Sequence, residues 1–234
     1  MKHIYVIGLA FALAQQTTLA QSKGFDAEID ALTERVEKLE GTRAIKKLQR
    51  AFGFYIDRGL WNEAADLFTD DGSIEIGIDG VYVGKARIQE YLKRLHGGQD
   101  GLIYGQLNEW ITLQPAVNMS EDGNSGTARW RDHAMLSQYK QHAEWRDGIY
   151  ENTYVNDGGI WKIASLHLYV NFLAPYEKGW ARLKPGEGLA QSETSKTFPP
   201  DRGPTAEYKP FPDTQVPTFQ APNPVTGKSV KGDN

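Results

Sequence analysis

The last strand-like run of the chain carries a histidine and a tyrosine in a row of otherwise buried-type side chains. In residues 160–172 alternate side chains share a face, and one such row runs Trp161, Ile163, Ser165, His167, Tyr169. We predict that this row points inward. An imidazole exchanges protons near neutral pH, so His167 is a candidate acid or base, with Tyr169 beside it as a candidate substrate contact. A histidine on such a strand also serves as a satisfied core residue.

A second histidine lies on the run 127–139, where the direction of the faces stays open. Arg129 and His133 share one row, whereas Trp130 belongs to the other. A shift of one residue would exchange the inner and outer rows. Both His133 and Trp130 are therefore candidate substrate-binding residues.

Two further polar side chains belong to neighbouring runs. Tyr150 lies on residues 148–156, where cross-strand aromatic packing is the simpler interpretation and contact with a ligand the alternative. Asn108 lies on residues 102–113, where its amide could hydrogen-bond a substrate. We include both residues in the predicted binding site.

Helices precede the strands along the chain. Apolar residues at spacings of three and four predict a helix over 26–54, interrupted at Gly41 with a new start at Thr42. Gly59 is typical of a helix end, and Trp61 begins a short helix. An Asp-Gly turn then predicts a hairpin, which residues 85–95 follow as a helix. Long strands are predicted over 102–113, 127–139, 148–156 and 160–172. This order is typical of an α+β fold with an antiparallel sheet.

Both ends of the chain differ from its middle. Residues 1–20 combine a short basic start, an apolar stretch too short to span a bilayer and small residues before Gln21, which predicts a signal peptide and a periplasmic or secreted protein. Residues 26–180 form the predicted domain. Residues 185–234 are rich in proline and lack periodicity, and we expect this extension to pack along the domain or a neighbouring subunit.

Composition argues against several classes of function. The 234 residues carry a formal charge of −4 without a basic cluster, which disfavours nucleic acid and anionic membrane surfaces as partners. There is no cysteine, so thiolate nucleophiles and zinc–thiolate sites are excluded. The five histidines lack the spacing typical of a metal site, and no metal or cofactor is expected.

Several segments together resemble SnoaL-like proteins of the NTF2-like superfamily. They are the stretch from Glu34 to Gly77, which includes YIDRGLW, and the later VGKARIQEYL, GTARWRD and GIYENTYVNDGGIWKI. The resemblance implies a cone made of a strongly curved sheet with helices enclosing a deep pocket, in a homo-oligomer that we expect to be a dimer or trimer. The superfamily that the sequence resembles includes scytalone dehydratase and bile acid 7α-dehydratase, which act without a cofactor on small molecules. The fold also serves non-catalytic proteins.

The resemblance also implies a role for Asp57. An aspartate four residues before the tryptophan that opens a helix lies in the pocket of these dehydratases, and Asp57 stands in that relation to Trp61. Capping of the short helix is the alternative role of Asp57. The tyrosine and histidine that accompany the aspartate in the family are replaced here, and Tyr55 and Tyr104 are the nearest substitutes for holding a substrate oxygen.

The sequence thus predicts a dehydratase-like lyase or isomerase that acts on a small hydroxylated aromatic or polycyclic compound. Asp57 and His167 are the predicted acid–base pair. Two alternatives remain: a retro-aldol lyase that releases formaldehyde from a lignin-derived aromatic, and a small-molecule binding protein without catalysis.

Overall fold

The computed structural model describes residues 3–213, 215 and 221–230, with side chains from residue 25 onward. The chain divides into two units, residues 1–41 and 42–234. The predicted signal peptide lies outside the part whose side chains are described, and it stays a prediction. None of the described helices combines the length and apolar character that crossing a membrane requires.

The helices follow the predicted order with one correction. Helix α1 spans His3–Asp57 and passes through Gly41, so the predicted break with a new start at Thr42 is wrong. A single glycine costs a helix only about 1 kcal/mol, which the hydrogen bonds on either side of it offset. Helix α2 is Trp61–Asp66, α3 is Lys85–Leu95, and a short α4 covers Glu193–Thr197. Gly59, with φ of 67°, separates α1 from α2.

Six strands form one sheet in the order β2-β1-β6-β5-β4-β3. The strands are β1 (Phe68–Ile76), β2 (Val81–Val83), β3 (Gln106–Met119), β4 (Ser125–Gln138), β5 (His142–Asp157) and β6 (Ile160–Pro175). All neighbours pair antiparallel except β1 and β6, which run parallel. The α+β class is therefore confirmed, and the sheet is mixed rather than purely antiparallel.

The inner face of the sheet packs against the second half of α1. Ile45, Phe52 and Ile56 of that helix are fully buried in the core. The amide of Gln49, also fully buried, accepts hydrogen bonds from Asn152 Nδ2 and Tyr154 Oη, both at 2.9 Å. These bonds give the side-chain oxygen of Gln49 two donors from β5, and they fix the helix across the middle of the sheet.

The inner row of β6 differs from the predicted row. Ile163 is buried, but the next buried side chains are Leu166 and Leu168, because Ala164 is an extra residue in the pairing with β5. Such a bulge exchanges the two faces of a strand beyond it. The prediction that His167 and Tyr169 point inward is therefore wrong, and both lie on the outer row.

The proline-rich extension, which belongs to the second unit, packs along the sheet of that unit over a long path. The backbone of Arg202 pairs with Val81 of β2, and Thr205 donates from both its amide and its hydroxyl to Glu75 of β1. Tyr208 Oη accepts from the backbone N–H of Val170 at 3.0 Å. Residues 199–211 thus follow the β2, β1 and β6 side of the sheet.

Candidate functional site

A cavity of about 670 Å³ opens at one end of the sheet. This volume suits a small organic ligand. Its walls come from the end of β1 and the turn that follows it, from the end of α3, from β3 to β6, and from residues 188–192 of the extension. Most of the lining surface is apolar, and the larger apolar side chains are Ile76, Leu95, Ile103, Leu107, Trp110, Leu136, Val170, Leu173 and Leu189. The ionisable ones are Asp79, His96, His142, Glu144 and Arg146.

His96 follows the last residue of α3 and lines this cavity. Its Nδ1 lies 2.7 Å from the carbonyl oxygen of Leu92, and since a carbonyl only accepts, Nδ1 carries the proton. In the neutral ring Nε2 is then an unprotonated acceptor. The imidazole stacks on Trp61 with 4.9 Å between ring centres. Burial lowers the pKa of His96 to about 4, against the opposing effect of the Leu92 carbonyl, so the ring is neutral at pH 7.

Arg146 supplies a fixed positive charge in the same cavity. Its Nε donates to Asp132 Oδ2 at 2.7 Å and its Nη2 to Asp132 Oδ1 at 3.1 Å. Burial disfavours the charged form, but the attraction of Asp132, together with Tyr150 and Tyr91, outweighs this effect and raises the pKa of Arg146. Two of the five N–H groups of the guanidinium are used on Asp132, which leaves donors for an oxygen of a ligand.

Trp110 lies between these two groups. Its ring is 5.2 Å from the His96 ring, and the Arg146 carbon Cζ is 3.8 Å from the indole centre. Asn108, on the same face of β3, accepts from Trp110 Nε1 at 2.9 Å and donates to the carbonyl of Ile56 at 2.7 Å. These contacts hold the indole in place between the imidazole and the guanidinium.

Among the sequence-predicted residues, Asn108 is the one that lines the described cavity. Asp57 lies beside the cavity wall without lining it, and its Oδ1 accepts from the backbone N–H of Trp110 at 2.6 Å. Burial raises the pKa of Asp57, and this effect is larger than the lowering by the hydrogen bond from Trp110. Tyr55 is half-buried against the core, whereas the Tyr104 side chain is 89% exposed.

The structure does not bring Asp57 and His167 together. The Asp57 carboxylate accepts a hydrogen bond from the backbone of Trp110 on β3. In the sheet β3 is three strands away from β6, which carries His167, and this corresponds to about 14 Å at ordinary strand spacing. His167 lies on the outer face, stacked on Tyr169 with 3.7 Å between ring centres and with Nδ1 3.5 Å from Glu75. The bulge at Ala164 is the physical reason, because it turns His167 away from the helix side of the sheet.

The remaining predicted residues are also placed by the register of the sheet. Trp130 is on the inner row of β4, buried, with Nε1 donating to Tyr154 Oη at 3.1 Å. His133 is therefore on the outer row, where it packs against Trp145. Tyr150 is fully buried on β5, which raises the pKa of its hydroxyl well above the usual value. Neither Trp130 nor Tyr150 lines the cavity.

Sequence reasoning missed His96, Arg146 and the segment 188–192. His96 stands directly after a predicted helix and before Gly97-Gly98, where a side chain can bond to a free helix carbonyl, and this was the available signal. Arg146 was missed because the predicted strand began at residue 148, whereas β5 begins at His142. Within the described residues no group of three or more acidic or histidine side chains is arranged to hold a metal ion.

Comparison with known proteins addresses the family and the fold. Residues 37–167, more than half of the chain, match the family model described as SnoaL-like domain. No curated protein sequence shows significant similarity to the chain.

Several solved structures share the fold. A candidate scytalone dehydratase from Novosphingobium aromaticivorans DSM 12444 aligns with a TM-score of 0.54 at 16% identity, over 68% of this chain and 99% of that one. Hexachlorocyclohexane dehydrochlorinase LinA-type3 from Novosphingobium barchaimii LL02 aligns with a TM-score of 0.52 at 14% identity, over 60% and 93%. At such low identity the likeness establishes the architecture alone, which is the predicted NTF2-like one.

Proposed function

Because the chain belongs to the SnoaL-like domain family, we propose that it is a cofactor-independent lyase or isomerase whose chemistry takes place in the cavity beside Trp110. The proposed substrate is a small hydroxylated aromatic or polycyclic compound. A largely apolar surface suits a flat ring system, and the polar groups among it would orient the substrate.

One observation supports this proposal above the others: His96, whose Nε2 is unprotonated, lines the same cavity as Arg146, which carries a permanent charge. In the proposed reaction His96 Nε2 removes a proton from a carbon next to a carbonyl or enol. Arg146 stabilises the negative charge that develops on the substrate oxygen. The leaving hydroxyl then departs with a proton, which His96 can return.

The same two groups would also serve a retro-aldol reaction. His96 would take the O–H proton of a hydroxymethyl group, the carbon–carbon bond would break to release formaldehyde, and the electron pair of that bond would remain on the rest of the substrate near Arg146. The protonated His96 would then return its proton to the carbon that had carried the hydroxymethyl group. The accessible chemistry thus includes loss of water and loss of formaldehyde, and the product distinguishes them.

The experiment is a substrate screen with matched variants. The protein is incubated with lignin-like aromatics, steroids and polyketides, and mass spectrometry is used to find loss of water or formaldehyde. We expect His96→Gln to lower turnover at least about 100-fold, as for removal of a general base. His133→Gln, which changes a histidine outside the cavity, should keep the wild-type rate.

The variant Asp57→Asn tests whether Asp57 acts as the acid or base, as the sequence predicts. Full activity in this variant with none in His96→Gln supports the base assigned here. The opposite pattern would transfer the role of the base to Asp57. Tight retention of a compound without any product would instead identify a binding protein.

A further inference from the structure

The first unit carries an apolar stripe along α1. The described side chains Phe25, Ile29, Leu32, Val36 and Leu39 are between 44% and 65% exposed. Their spacings alternate between four and three residues, which is the heptad pattern of a coiled coil rather than of a helix packed in a globular core. Ile45, Phe52 and Ile56, further along α1, are instead fully buried in the core of the second unit.

The residue types along the stripe select one partner geometry. In heptad terms Ile29 and Val36 occupy the a positions, and Leu32 and Leu39 occupy the d positions. Branched residues at a with leucine at d favour two parallel strands. We infer that α1 forms a parallel two-stranded coiled coil with α1 of a second copy of this chain.

The charges beside the stripe agree with this orientation. In a parallel pair the g position of one helix faces the following e position of its partner, which places Arg35 next to Glu40 on both sides of the seam. An antiparallel pair in the register that aligns the four aliphatic residues would instead place Arg35 against Arg35. It would also bring Asp26 near Glu40. Like charges so placed disfavour the antiparallel arrangement.

The test measures the mass of the purified full chain in solution by light scattering. Wild-type protein should have twice the chain mass at micromolar concentration. Leu32→Glu should raise the dissociation constant at least about 100-fold, because it places two carboxylates in an apolar seam. Ala31→Glu adds the same charge one residue away from the stripe and should remain dimeric. A monomeric wild type, or an unchanged dimer in Leu32→Glu, would overturn the inference.

The orientation of the two helices is tested by disulfide cross-linking. The chain contains no cysteine, so an introduced cysteine can pair only with its copy in the second chain. In a parallel pair the two copies of residue 32 face each other, so Leu32→Cys should form a disulfide-linked dimer under mild oxidation. Ala31→Cys should form none. Lack of cross-linking in Leu32→Cys, despite a dimeric mass, would contradict the parallel arrangement. The double variant Arg35→Glu/Glu40→Arg, present in both copies, keeps opposite charges facing each other and should preserve the dimer. Arg35→Glu alone should weaken it.

Discussion

The guanidinium of Arg146 lies 3.8 Å from the centre of the Trp110 ring while its other side is held by Asp132. The indole and the carboxylate together fix the cation at the cavity wall. Both charged side chains are almost fully buried, at 6% and 0% exposed. A buried charge that loses its partner is costly, so the pair determines stability as well as the electrostatics of the site.

Removal of Arg146 should destabilise the protein strongly. Arg146→Leu leaves the Asp132 carboxylate buried without its partner, and we expect a loss of about 3 to 5 kcal/mol in the free energy of unfolding, measured by denaturant titration. Arg131→Leu is the matched control, because the Arg131–Asp147 pair on the same strands is half-exposed and contributes about 0 to 1 kcal/mol. Equal losses in the two variants would contradict the structural role of the buried pair.

Acid should destabilise the protein in part through His96. The folded pKa of about 4 lies below the unfolded value near 6.5, so below pH 6.5 the unfolded chain binds the proton more readily. The contribution is fully present above pH 6.5 and decreases by about 3 kcal/mol as the pH falls to 4. Denaturant titrations across this range should give a smaller pH dependence for His96→Gln. Parallel curves for the two proteins would show that the histidine is not buried as described.

Asp57 should have a measurable structural role whatever its role in catalysis. Asp57→Ala removes the acceptor of the Trp110 backbone N–H, and we expect a loss of about 1.5 to 3 kcal/mol in the free energy of unfolding. Asp57→Asn keeps an acceptor oxygen and should lose less than half as much. Equal free energies of unfolding for Asp57→Ala and Asp57→Asn would contradict this structural role.

Substitution of Gly188 should displace the part of the cavity wall that the extension contributes. A Cβ on Gly188 would lie 2.7 Å from the carbonyl oxygen of Leu173, so Gly188→Ala should push residues 188–192 away from β6. We expect weaker ligand binding, seen as a raised KM with a smaller change in kcat. Gly186→Ala is the control, since Gly186 also has a positive φ but open space around its Cα. An equal change in KM for both variants would assign the effect to backbone strain alone.

The sequence predicted elements where local signals decide the structure. Helix α3 has the predicted bounds, because its apolar spacing lies between Gly84 and the glycines after His96. The positive φ of Gly59 and Gly80 agrees with the predicted helix end and hairpin. In each case the deciding interactions lie within a few residues of one another.

The faces of the strands could not be predicted in the same way. The bulge at Ala164 leaves no mark in the alternation of β6, because both rows of that strand contain apolar residues. The position of His167 therefore depended on pairing with β5. The contact of Asp79 with Ser192, which holds the extension at the cavity, joins residues 113 apart in sequence. Such contacts are set by the tertiary fold.

Segment 188–192 places part of the cavity wall outside the region that matches the family model. Two proteins with the same conserved domain but different extensions would then offer differently shaped binding sites around an identical set of reactive groups. Selection could alter ligand preference through this stretch of chain without disturbing the sheet.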